Sequence, residues 1–113
     1  MRVILILLIA MAIPYTHAGM CERKNTNYYR NAELNQFPAM PSEPISNTEA
    51  DQLESEGSEY YIHVVCESGE PVSLTKRWNK RLYFEIKYLY ENNQLIGQKN
   101  INANGEINEY YTE

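Results

Sequence analysis

The 113-residue chain is poor in the groups that carry chemistry. It has one aspartate (Asp51), two histidines (His17 and His63), two cysteines and one tryptophan. Acid–base and nucleophilic catalysis need such groups held close together, and zinc needs three or four His, Cys or carboxylate ligands. No His/Cys pair stands at metal-ligand spacing, and phosphate-binding glycine loops and nucleophile elbows are absent. No cofactor or metal site is expected, and the chain reads as a non-enzyme. Long apolar runs are missing too. The longest, Val3–Ile13, has eleven residues, where a membrane-spanning helix needs about twenty. Bases are the minority charge, ten against fifteen acids, which argues against nucleic acid as a partner.

What is present at the N-terminus is an export pattern. Met1-Arg2 supplies a positive charge, Val3–Ile13 an apolar core, Pro14 a helix break, and Thr16-His17-Ala18 the small residues at a cleavage site. Charge, apolar core and small-x-small in that order predict a secretory signal peptide over residues 1–18. Cleavage after Ala18 leaves Gly19–Glu113, 95 residues with no integral membrane span. Loss of Arg2 leaves nine bases against fifteen acids, a net charge of −6. The destination is the periplasm or the exterior. Lipid modification of Cys21 is the lesser alternative, because Ala18 and Met20 fit poorly the apolar and small positions that precede a lipidated cysteine.

The mature chain keeps Cys21 and Cys66. Two cysteines in an oxidising compartment predict one disulfide. The alternative is a buried Cys66 and a free Cys21 thiol in a polar tail.

Along the chain, residues 19–44 read as an extended N-terminal segment. Within it Asn27–Ala32 could form a short strand, and Pro38, Pro41 and Pro44 mark Glu33–Pro44 as an extended loop. Ser46 with Glu49 three residues later is a capping box, so residues 45–57 predict a short helix ending at Gly57. Apolar and aromatic residues then alternate at period two. Strands are expected over Tyr60–Glu67, Val72–Trp78, Leu82–Tyr90, Leu95–Ile101 and Glu106–Tyr111. The breaks at Gly69, Asn79-Lys80, Asn92-Asn93 and Asn104-Gly105 carry hairpin residues. The fold expected is mainly β: an antiparallel meander of about five strands over residues 59–113, with one short helix, in a single small domain.

Glu67-Ser68-Gly69-Glu70-Pro71-Val72, Tyr90-Glu91-Asn92-Asn93-Gln94-Leu95 and Asn104-Gly105-Glu106-Ile107 resemble the aromatic–turn–aliphatic units of bacterial MORN-like and YD-like strand repeats. The likeness covers residues 59–113, and Asn92-Asn93 stands where those repeats carry Asn-Gly. The resemblance implies a meander. It also places the chain beside small bacterial domains that include antitoxin and immunity-type proteins.

Three features remain as candidate sites. His63 lies between Ile62 and Val64 and is expected on the solvent side or at an edge. Glu85 could meet Glu70 or Glu106 across strands, and paired carboxylates serve glycoside hydrolysis. A small domain offers little room for a cleft, however, and fourteen glutamates make chance pairs common. The third is Lys76-Arg77-Trp78-Asn79-Lys80-Arg81. Alternation puts Lys76 and Trp78 on one face and Arg77 on the other. Trp and Arg are favoured interface anchors, so Lys76, Trp78, Lys80 and Arg81 form a possible partner contact. The alternative, favoured by Val72 and Leu74 on the same row, is that Trp78 packs in the core. The function expected is an exported, non-catalytic protein-binding or immunity-like module. The alternatives are an envelope-associated structural protein contacting lipid or carbohydrate, and a small hydrolase using two glutamates.

Overall fold

The computed structural model describes residues 21–112. The signal peptide expected over residues 1–18 lies outside the described residues. Elements follow as β1 (Lys24–Glu33), β2 (Met40–Ile45), α1 (Asn47–Glu56), β3 (Tyr60–Cys66), β4 (Pro71–Trp78), β5 (Arg81–Glu91), β6 (Gln94–Asn102) and β7 (Ile107–Tyr111). The strands form one antiparallel sheet of order β2-β1-β3-β4-β5-β6-β7. Strands β3–β7 are the expected meander. Because β2 and β3 both pair antiparallel to β1, they run parallel to each other, and α1 makes the crossover between them. Among the described residues no helix is long and apolar enough to cross a membrane.

The sheet has seven strands where about five were expected, and both corrections lie N-terminal to the helix. The proline-rich stretch read as a loop contains β2. Proline lacks an N–H and is tolerated only where that donor is not needed, which is at a sheet edge. Pro41 and Pro44 sit on such an edge, opposite Ala32 and Tyr29 of β1. The same prolines, with the positive φ of Glu43, leave this edge unsuited to further pairing. Strand β1 also begins earlier than its polar residues suggested. Lys24 pairs with Cys66, and the Cys21–Cys66 disulfide is formed beside that pair.

Local signals hold the other elements. Ser46 Oγ accepts from the Glu49 N–H at 3.1 Å, and Glu49 Oε1 accepts from the Ser46 N–H at 3.3 Å. Gly57 closes α1 in the left-handed region at φ 77°, and its N–H donates to Glu54 O. Such a cap contributes about 1 kcal/mol. The hairpins β4–β5 and β5–β6 turn on Asn79-Lys80 and Asn92-Asn93, and all four residues have positive φ. Two such residues in succession make the turn whose twist matches that of paired strands.

The core lies on one face of the sheet. Leu74 is fully buried between His63 and Ile86 in register, with Tyr61, Tyr88, Tyr90 and Cys66 around it. The β1–β2 connection folds over this face. Ala39 is buried there and donates its N–H to Tyr88 Oη at 3.2 Å, while Phe37 meets the Tyr88 ring at 6.3 Å. Tyr90 Oη donates to Pro71 O at 2.7 Å. Burial pushes the Tyr90 phenol up to about 12. On the opposite face α1 covers β1 and β3: Ala50 is its buried residue, and Tyr60 Oη donates to Glu54 at 2.8 Å.

β7 depends on one glycine. A Cβ at Gly97 would stand 2.2 Å from Tyr110 O and 3.0 Å from Tyr111 Cα. Both are backbone atoms, so a flexible side chain cannot yield instead. Gly97→Ala is expected to detach β7 while leaving β1–β5 paired. Amide exchange should rise at Asn108–Tyr111 with Leu74 still protected. An unchanged exchange pattern would contradict this reading.

Candidate functional site

The β4–β5 hairpin projects beyond its neighbours. β3 starts pairing with β4 at Tyr60–Arg77, and β6 stops pairing with β5 at Phe84–Asn102. Among the described residues, the hairpin end over residues 78–83 therefore has no further strand on either outer side. The register also slips between Lys76 and Arg77: Lys76 faces Phe84 while Arg77 faces Leu82. Tyr83 is the extra residue of this bulge, and bulges re-aim side chains.

Tyr83 consequently meets Trp78 edge-to-face, with centroids 5.9 Å apart at 83°. Lys76 Nζ stands 4.9 Å from the Tyr83 ring centre and 5.5 Å from that of Tyr61. It also pairs with Glu59 at 3.1 Å. Burial works to lower the Lys76 pKa, but Glu59 and Tyr61 outweigh it and hold the ammonium above its ordinary range. Glu59, Lys76, Trp78 and Tyr83 line a shallow hollow of about 220 Å³. Trp78 is 49% exposed and Tyr83 46%. Trp78 is thus a surface residue, which corrects the expectation that it ends the core row. Alternation put it on the right face, but no neighbouring strand reaches far enough to cover it.

The projecting turn is anchored from the other side. The Asn79 N–H donates to Gly57 O at 3.0 Å, tying the turn to the end of α1. Arg77 makes a bidentate pair with Glu54, Nε at 3.1 Å and a terminal nitrogen at 2.7 Å. Lys80 and Arg81 are exposed, and neither has a carboxylate at ion-pair distance among the described residues. Of the possible contact residues, Lys76 and Trp78 share the hollow, while Lys80 and Arg81 lie beside it at the tip. Glu59 and Tyr83 were not anticipated. Tyr83 is brought in by the bulge, and Glu59 precedes β3, where alternation does not reach.

The Arg77–Glu54 pair makes stability depend on acid. The hydrogen bond from Arg77 lowers the Glu54 pKa most, burial opposes it, and Tyr60 and the charges of Arg77 and Lys80 add to the lowering. A depressed carboxyl contributes stability that is complete above the ordinary glutamate range and lost as pH falls through the folded value. The two side chains are 28% and 33% exposed, so the contribution is about 1 kcal/mol. Wild type should exceed Glu54→Gln by that amount at pH 7, and the gap should close on acidification below about pH 4. A gap independent of pH in denaturant titrations would contradict the assignment.

The other candidates lie apart from this corner. His63 is on the core side, opposite Leu74, and its ring meets Tyr29 edge-on at 6.1 Å. This corrects the solvent-side expectation: β3 is covered on both faces, by α1 and by the core. Burial lowers the His63 pKa, and Nε2 is buried without a hydrogen-bond partner. The glutamates stand at three different places. Glu70 accepts from Ser68 Oγ in the β3–β4 turn, and Glu106 accepts from Asn102 Nδ2 at 2.7 Å in the β6–β7 turn. Glu85 lies mid-strand between Thr75 and Ile101. Among the described residues no group of three or more His, Cys, Asp or Glu could hold a metal ion.

Comparison with protein-family models, curated proteins and solved structures finds no match.

Proposed function

We propose that this chain is an exported, non-catalytic binding module of the immunity-protein kind, and that the β4–β5 corner holds a protein partner. The observation that supports it is the exposed Trp78–Tyr83 pair on a hairpin end that no strand covers. Edge-to-face packing is worth about 0.5–1.5 kcal/mol and limits the rings' freedom before binding. Trp, Tyr and Arg carry most of the energy in protein interfaces. The Asn79–Gly57 hydrogen bond and the Arg77–Glu54 pair stiffen the platform from behind.

Charge selects the kind of partner. The chain as a whole carries −5, whereas the corner presents Lys80 and Arg81, which are exposed and in no ion pair among the described residues. An acidic protein surface of limited extent can meet this tip, while an anionic membrane would be repelled by the rest of the molecule. Export is supported by the N-terminal pattern and by the Cys21–Cys66 disulfide, a bond that persists in oxidising compartments.

The test is paired capture from envelope extract of the expressing cell, with wild type and Trp78→Ala as baits. Proteins held by wild type and lost with Trp78→Ala, while the variant keeps its fold, support the reading. Identical capture by both baits contradicts it. A carbohydrate reading rests on the Glu59–Lys76 pair beside the two rings, since hydroxyls could bond the charges while a sugar face stacks on the indole. Retention of wild type on immobilised glycan, with no protein captured, would favour it.

A further inference from the structure

A second groove lies away from the corner, on the face of the sheet opposite the core. Lys87 of β5 and Lys99 of β6 are directly opposite in register, with Ser73 of β4 beyond Lys87 in the same cross-strand row. Directly opposed residues have Cβ atoms about 5 Å apart, and like charges so placed destabilise a sheet. In an acidic chain such repulsion is readily relieved by a carboxylate. Lys76 has Glu59 and Arg77 has Glu54, whereas among the described residues Lys87 and Lys99 have no carboxylate at ion-pair distance, although Glu109 stands opposite Lys99 in register. The two lysines instead line a groove of about 390 Å³ together with Val72, Ser73, Glu85 and Leu89.

We infer that this groove is a binding site for a small ligand carrying a single oxyanionic group, held between the Lys87 and Lys99 ammonium groups. The anion removes the like-charge repulsion that the register imposes. Two flexible stems on neighbouring strands can close on one anion, and hydrogen bonds between charged partners are the strong ones. Ser73, which is buried, offers a hydroxyl in the same lining, and Val72, Tyr88 and Leu89 complete it. Glu85 lies one cross-strand row along, beside Ser73 and Lys87, and Glu109 faces Lys99 from β7. These carboxylates bracket the lysine pair, so a polyanion such as nucleic acid is repelled where a single phosphate group is accepted. The inference is independent of the proposed corner function, because the two surfaces share no residue.

The probe is inorganic phosphate, titrated into the disulfide-bonded protein at constant ionic strength and followed by amide and lysine-side-chain NMR shifts. Saturable shifts at Ser73, Lys87 and Lys99, absent with chloride, are expected. Lys87→Met and Lys99→Met should each weaken binding about tenfold, the worth of one charged hydrogen bond. Without phosphate Lys87→Met should melt no lower than wild type, since it removes the like charge opposite Lys99 and leaves Glu109 facing Lys99. Binding to phosphatidic acid vesicles that Lys87→Met abolishes would identify a lipid headgroup as the source, and phosphate binding without vesicle binding a soluble ligand. Shifts that follow ionic strength alone, or Lys→Met variants that bind phosphate as wild type does, would overturn the proposal.

Discussion

Leu74→Ala is expected to lower stability by about 3–5 kcal/mol, the range for a fully buried leucine whose cavity cannot collapse. Leu74 is 0% exposed and sits mid-sheet between His63 and Ile86. The ring-bearing side chains around it (Tyr61, Tyr88, Tyr90) are held by their own contacts and cannot slide inward to fill the space. Tyr88 is fixed by the Ala39 N–H and Tyr90 by its bond to Pro71 O. A domain of this size has a total stability of roughly 5–10 kcal/mol, so the variant should be near its unfolding midpoint in mild denaturant. A loss below about 1 kcal/mol would mean that this face is not the core.

Removing the Cys21–Cys66 disulfide should have an effect nearly as large. The bond joins residues 45 apart, for which loop-closure entropy gives roughly 3–4 kcal/mol. It also has a local consequence. The first four residues of β1 are exposed, and apart from their ladder with β3 little apolar burial holds them. The double substitution Cys21→Ser/Cys66→Ser should lower the melting temperature by about 12–32 °C, since each kcal/mol is worth about 4–8 °C here. Amide protection should be lost first at Lys24–Asn27. A melt unchanged by substitution would show that the ladder suffices without the bridge.

The C-terminal half of the fold could be read from residues because its signals are local. Asn79-Lys80 and Asn92-Asn93 set hairpins whatever surrounds them, and Ser46 and Glu49 cap a helix by themselves. β2 was hidden because Pro41 and Pro44 forbid a central strand, and only the completed sheet shows that this strand is an edge. The start of β1 was hidden because Lys24-Asn25-Thr26-Asn27 has no apolar pattern, its order coming from pairing and the disulfide beside it. Trp78 and His63 show the limit of alternation most plainly. Period two tells which face a side chain takes. Whether that face is covered at that point depends on how far the neighbouring strands extend. Trp78 lies past the start of β3 and is exposed, while His63 lies in the middle and is covered. The Lys87–Lys99 opposition is of the same kind, since it follows from the β5–β6 register and from no run of adjacent residues.

Thermal unfolding of Trp78→Ala separates a contact residue at this position from a core residue. Truncating a core aromatic costs about 3–5 kcal/mol, while removing an exposed side chain changes stability by about 0.5 kcal/mol. Loss of the Tyr83 edge contact adds at most about 1.5 kcal/mol. A contact residue predicts a loss of at most about 2 kcal/mol, short of that expected for Leu74→Ala, together with loss of partner capture. A fall as deep as that of Leu74→Ala, with capture unchanged at temperatures where the variant is folded, would contradict it.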